Sequence, residues 1–447
     1  MFKHNSSPIA KVFLRLHKKS IHLFKCWGCH SLKRNGQSFL QQLKTTTSFN
    51  AHIHDAVATI CERVKCEGDV ALQDYTAQFD GIVPTHWHVP NTDLQHAYET
   101  LDADLRKALE LSHERITRYQ TSIRYQDGDA TSEIYEVYRP LNRVGIYVPG
   151  GKASYPSTVL MTATLAKVAG VNDIIVVTPP QKEGIAKSVL AACYIAGVTQ
   201  VFQVGGAQSI AALAYGTETI PKVDKIVGPG NQYVAYAKKY VYGDVGIDQI
   251  AGPSEIALII DETCRLEDVT YDVLAQAEHD EMARTFVISE DEELLKRLAQ
   301  NIQSIASQTE RSAIIQESLA HHHYLIHTAN FEESCAVMNA IAPEHASIQT
   351  ASPEHYVPYI SYVGSLFLGR YAPEAIGDYI AGPSHVLPTN GTARFQHGLS
   401  VNDFLTKHTV IQLFEKTYQQ TAKAAMRIAQ EEALYNHQHS LTIRKQR

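Results

Sequence analysis

The side chains best suited to acid–base chemistry in this chain are the neighbours Glu344 and His345, in Pro343-Glu344-His345. Glutamate and histidine are the commonest acid–base groups, and environment can bring both near neutrality. Proline discourages helix at the residue before it, so the pair should sit where a helix over 334–341 ends and the chain straightens. On spacing alone a polar loop fits these residues better. Gln276 and His279 in AQAEHD are three residues apart on an expected helix, hence on one face. Amide oxygen and imidazole nitrogen could there reach one metal ion, although such a pair is more often a hydrogen-bonded surface pair. Asp378 precedes an Ala-Gly-Pro-Ser turn with His385 close behind, and turn aspartates commonly bond their own backbone. Glu432 and His437 are five residues apart, about 140° around an ideal helix. They face one site only if the helix stops between them, and Asn436 is the expected stop.

Two other clusters suggest metals and carry less. In His321-His322-His323 the rings alternate faces if the segment is a strand, and nothing nearby completes a four-ligand set. Cys26-Trp27-Gly28-Cys29-His30 has c-type haem spacing, but no export signal accompanies it, so a chance match or weak metal site is the preferred reading.

The elements that must position these residues follow from periodicity. Apolar stripes predict helices over 52–79 and 93–120. Strands over 143–147, 173–178, 200–204 and 225–227 then alternate with helices over 158–169, 185–196 and 208–215. This pattern means a parallel sheet covered on both faces, with ligands at the carboxyl ends of strands, where the glycine turns lie. A second α/β region has strands over 256–261, 284–289 and 324–328. Asp248-Gln-Ile-Ala-Gly-Pro-Ser254 and Asp378-Tyr-Ile-Ala-Gly-Pro-Ser384 agree at six of seven positions. Duplication of one α/β unit explains this, as do two independent turns. From 401 to 436 the chain reads as helical, a tail too small to fold alone.

With 447 residues, several domains are expected. A net charge of -7 argues against general nucleic-acid binding. No apolar run approaches the ~20 residues of a membrane helix. The 7 cysteines are too scattered for a disulfide framework, which fits a reducing, cytoplasmic compartment. Residues 1–48 form a basic, acid-poor arm, read as disordered, an extended start, or an organelle-targeting segment.

Taken together, the motifs resemble the histidinol dehydrogenase family over about residues 39–444. They include RVGIYVPGG (143–151), VGGAQSIAA (204–212), VDKIVGPGN (223–231), AGPSE (251–255), QAEH (276–279), APEH (342–345), GDY (377–379) and HVLPT (385–389). The Glu432–His437 segment completes the set. The resemblance implies an α/β fold of two incomplete Rossmann-like, doubly wound domains. One would be 49–146 with 254–398, and the other 147–253. A C-terminal segment, 399–447, would swap onto the partner in an intertwined homodimer. It implies oxidation of L-histidinol by NAD with one Zn2+ per subunit. Gln276, His279, Asp378 and His437 match the zinc ligands, and Glu344 and His345 the acid–base pair. Tyr147, Gln208 and Asn231 match the NAD contacts. Substrate contacts match Ser254, Gln276, His279, His345, Asp378, Glu432 and His437. Gly382-Pro-Ser-His385 stands where many members have Gly-Thr-Asn-His, which puts the turn supporting Asp378 in question. A dinucleotide glycine fingerprint is absent, as the family leads one to expect.

Overall fold

A computed structural model describes residues 20–25, 30–35, 51–150 and 154–444. Its first elements are strands β1 (Ser20–Lys25) and β2 (His30–Asn35) and helices α1 (Ala51–Glu67) and α2 (Asp69–Phe79). Strand β3 (His88–Val89), helices α3 (Asn91–Glu99) and α4 (Ala103–Ile123) and strand β4 (Ile134–Pro140) follow. The helix expected over 52–79 divides at Gly68, whose φ of 54° strains any residue with a side chain. The one expected over 93–120 divides before Asp102, whose carboxylate caps α4 by accepting from the Asp104 and Leu105 amides.

The first sheet is built from β5 (Arg143–Tyr147), α5 (Pro156–Ala169), β6 (Asp173–Thr178), α6 (Lys187–Ala196), β7 (Gln200–Gln203), α7 (Gly206–Tyr215), β8 (Lys225–Val227), α8 (Gln232–Val241) and β9 (Gly246–Ile247). Its order is β3-β7-β6-β5-β8-β9, parallel except for β3. The run DIIVVT in β6 is buried almost throughout, as a strand covered on both faces requires.

The second sheet uses β10 (Glu255–Ile260), α9 (Leu266–Ala277), β11 (Arg284–Ser289), α10 (Glu292–Ala306), α11 (Ser312–His322), β12 (His323–His327), α12 (Phe331–Ile341), β13 (His345–Gln349), β14 (Ser365–Leu368) and α13 (Glu374–Tyr379). Its order is β14-β13-β10-β11-β12-β1-β2, parallel except for the hairpin β1–β2. Numbered along the chain, the five parallel strands of either sheet run 3-2-1-4-5, and each sheet takes antiparallel strands on the edge of strand 3. The two heptapeptide copies each follow the fifth strand, β9 or β14. Their backbones differ: Gly382 has φ 121°, whereas Gly252 is not left-handed.

Several expectations change. Residues 49–146 were grouped with the second sheet, yet Ile53, Val57 and Val64 of α1 share one core with Tyr147, Ile175 and Ile210 of the first. The apolar stripe of α1 settles this by packing on α7. The helix expected from 401 begins instead as β15 (Leu405–Ile411), antiparallel to β4. Its β-branched Thr406, Thr409, Val410 and Ile411 suit a strand better than a helix. Only then come α14 (Glu415–Glu431) and α15 (Tyr435–Ile443). Part of the basic arm is a hairpin, β1–β2, whereas residues 26–29 of the haem-like motif lie outside the described residues. Among the described residues no helix is long and apolar enough to cross a membrane. The five described cysteines are unpaired.

Candidate active site

Glu344 and His345 lie at the amino end of β13, beside the amino end of β10. The Glu255 peptide holds both. Its N–H donates to Glu344 Oε2 at 3.0 Å, and its carbonyl lies 3.1 Å from His345 Nδ1. That bond places the imidazole hydrogen on Nδ1 and leaves the lone pair on Nε2. The loop before them is strained and pinned. Ala342 has φ 52°, and the Gly364 and Ser365 amides donate to the Pro343 and Glu344 carbonyls at 3.0 and 2.9 Å. A Cβ on Gly364 would collide with the Glu344 carbonyl. Behind Glu255, its carboxylate accepts from the buried Arg284 guanidinium, which also donates to Asn390.

The helix α9 returns from β10 to this same end and delivers Gln276, fully buried. His279 lies beyond the last turn of α9 rather than on it, because the helix stops at Ala277. Its amide still donates to the Gln276 carbonyl at 3.3 Å, so the two remain close. Asp378 belongs to the last turn of α13, not to a free turn. Donor atoms of His279, Glu374 and Asp378 all lie within 4.8 Å of one another. Glu374 was not foreseen. It is 3% exposed, and its Oε1 lies 3.4 Å from His345 Nδ1. Ala372-Pro373-Glu374 repeats the Ala342-Pro343-Glu344 tripeptide, a signal that could have found it.

Burial dominates the electrostatics. It lifts the Glu344 and Glu374 carboxyls well above their usual range, and neighbouring carboxylates add to the effect. Asp378 is raised to about 6, also by burial. Burial lowers His345 to about 3 and His385 to about 4. His279 is lowered by burial and then by Arg311. Among the described residues none of these three carboxyls pairs with lysine or arginine. A group of nitrogen and oxygen donors with uncompensated carboxyls fits a divalent cation such as zinc.

A second group lies at the carboxyl ends of the first sheet. Tyr147 ends β5, and its hydroxyl accepts from the Gly206 amide at 3.4 Å. Gln208, in the first turn of α7, is buried, and its Oε1 has no partner. An orphaned buried acceptor beside a helix N-terminus fits a polar ligand. Asn231 caps α8 through Oδ1, leaving its amide nitrogen outside the cap. The turn before it is held from two sides. The Gly228 amide donates to Asp248 Oδ2 at 2.8 Å, and Lys238 Nζ donates to the Gly228 carbonyl at 3.0 Å. Lys238 and Asp248 also form a buried ion pair. Residues 378–387 tie the first group to α5 of the first sheet. His385 spans the Asp378 carbonyl at 3.1 Å and Thr158 of α5 at 3.4 Å. Ser384 donates to the Met161 carbonyl at 2.8 Å. Serine thus does the turn's anchoring in this Gly-Pro-Ser-His variant.

Ser254 joins the first group: it precedes Glu255, its carbonyl accepts from the Arg284 amide at 2.9 Å, and its side chain acts to lower the Glu344 carboxyl against the effect of burial. Glu432 and His437 do not. The helix break between them falls at Ala433, φ 56°, three residues before Asn436, but both side chains are exposed. The His321–His323 run is split, with His323 buried against Thr285 Oγ1 at 2.7 Å and His321 exposed.

A family model described as histidinol dehydrogenase matches residues 43–445. The histidinol dehydrogenase of Staphylococcus saprophyticus subsp. saprophyticus is 63% identical over 406 residues, covering 91% of this chain and 96% of its own. That of Staphylococcus aureus strain COL is 59% identical over 413 residues, 92% and 99% of the two chains. The crystal structure of histidinol dehydrogenase from Elizabethkingia anophelis superposes with a TM-score of 0.86 at 33% identity, over 91% of this chain and 95% of that one.

Proposed function

This chain belongs to the histidinol dehydrogenase family, and from that premise we propose that it oxidises L-histidinol to L-histidine through L-histidinaldehyde, with NAD taking the hydride in each of two oxidations. The observation that carries the reading is the Glu255 peptide, which holds Glu344 and His345 side by side next to Gln276, His279 and Asp378.

Gln276, His279 and Asp378 are the residues that would hold zinc, joined by His437 of the partner subunit. Zinc, when bound, supplies a Lewis-acid anchor for the nitrogens of an amino-imidazole substrate. His345, with its hydrogen fixed on Nδ1, takes the alcohol proton on Nε2. Burial keeps the ring neutral and ready for this. Glu344 takes a proton from the water that adds to the aldehyde carbon, and a carboxylate whose pKa is raised is the stronger base for it. His345 then acts again on the hydroxyl of the hydrate. Tyr147, Gln208 and Asn231 would bind NAD, and the orphaned Gln208 Oε1 would accept one of its donors.

The tail supports a homodimer. Only Ala422 and Ala429 of α14 are buried, whereas Ile428, Leu434 and Tyr435 are exposed. Covering them with a second copy would carry Glu432 and His437 to the partner's site. The shared 3-2-1-4-5 order also supports reading the sheets as copies of one unit. The test is the NADH formed per histidinol consumed. A ratio of two, abolished by a chelator and restored by zinc, is expected; a ratio of one would assign the chain to another primary alcohol.

A further inference from the structure

We propose that Glu374 is a positioning residue that sets the orientation of the Gln276 amide and thereby its fitness as a metal ligand. The inference rests on the zinc reading above. A glutamine side chain ligates a cation through oxygen, while its NH2 end, of nearly the same shape, only donates. Something must choose between the two ends. An amide oxygen placed there would face only acceptors, so the Gln276 amide is assigned with its nitrogen toward Glu374, where it donates to Oε1 at 2.9 Å and Oε2 at 3.3 Å. The oxygen is thereby directed away from Glu374. Because Gln276 is fully buried, water cannot substitute for that acceptor.

The placement of Glu374 is specific. It opens α13, and Asp378 follows four residues later, one turn on along the same face. One short helix therefore supplies a ligand and the group that orients another. Its Oε1 is also 3.4 Å from His345 Nδ1, so the same carboxylate reaches the acid–base pair. Groups that fix a ligand's orientation typically change metal affinity by about 10- to 100-fold when removed, without abolishing the site.

The experiment titrates zinc into the metal-free full chain against a chromophoric chelator. The parent is compared with Glu374→Gln, Glu374→Leu, Glu374→Asp and, as the standard for losing a direct ligand, His279→Ala. Glu374→Leu should bind zinc roughly 10- to 100-fold more weakly. Glu374→Gln keeps an accepting oxygen and should stay close to the parent. Glu374→Asp keeps the charge but withdraws it by one methylene, so it should resemble the leucine variant and replaces it should leucine not fold. With saturating cobalt, every Glu374 variant should regain the parent's visible spectrum. Parent-like affinity in the leucine or aspartate variant overturns the proposal. So does zinc loss in the glutamine variant as complete as in His279→Ala, with an altered cobalt spectrum, since Glu374 would then itself be a ligand. A parent that binds no zinc overturns the metal reading, and this inference with it.

Discussion

The six-stranded and seven-stranded sheets share a strand order, and the candidate residues lie at opposite ends of them. In the first, Tyr147, Gln208 and Asn231 lie at carboxyl ends of strands or just beyond, where open parallel sheets ordinarily bind ligands. In the second, Ser254, Glu344 and His345 lie at amino ends, and Gln276 and Asp378 arrive there on returning helices. The repeated heptapeptides show the same division. Asp248 is spent on structure, paired with Lys238 and bonded to Gly228, whereas Asp378 joins the donor cluster. Matching positions of the two heptapeptides are thus a brace in one sheet and a member of a donor cluster in the other. A carboxylate answered by a buried lysine is neutralised in place; one without such a partner remains available to a cation.

If this contrast is right, the largest effects come from the amino end of the second sheet. His345→Asn should slow both oxidations roughly a hundred- to ten-thousandfold. Glu344→Gln should spare conversion of alcohol to aldehyde and lose aldehyde oxidation to a similar degree. Stopped-flow NADH formation on each substrate distinguishes them, and equal loss of both steps in Glu344→Gln would refute the division of labour.

The brace in the first sheet should respond differently. Asp248→Asn leaves a buried lysine unanswered and should cost roughly 3–5 kcal/mol of stability in denaturant melts. Because Gly228 leads to Asn231, KM for NAD should rise more than kcat falls. An effect on kcat alone would mean the brace does not serve the cofactor end.

A smaller, pH-dependent difference follows from His323 in β12, which burial lowers to about 4. The described strands β5 to β9 contain no histidine. As pH falls from 6.5 towards 4, the unfolded chain takes this proton and the folded one does not, so stability is lost over that window. The loss is on the order of 3 kcal/mol. Thermal melts of metal-free His323→Asn should therefore fall less steeply with acid than the parent's. Superimposable curves would show that His323 contributes nothing to the acid limb.

Much of the fold is legible because periodicity is a local property. The alternation of short β-branched runs with helices marked both parallel sheets, and RVGIYVPGG marked the turn after β5. Strand β15 was missed because seven residues beside a helical tail carry little period of their own, and only the open edge of β4 made them a strand. Gln276, Glu344, His345 and Asp378 stand out in the sequence through the family-like motifs QAEH, APEH and GDY, in order along the chain. The sequence alone thus determined residue types, element periods and family membership. What it could not contain is through-space placement. The hold of Glu255 on Glu344 and His345 spans 89 and 90 residues, and the approach of Glu374 to Gln276 likewise exists only once helices return to one end of a sheet. Burial depends on that same packing, so the pKa of every group in the site was decided by tertiary structure.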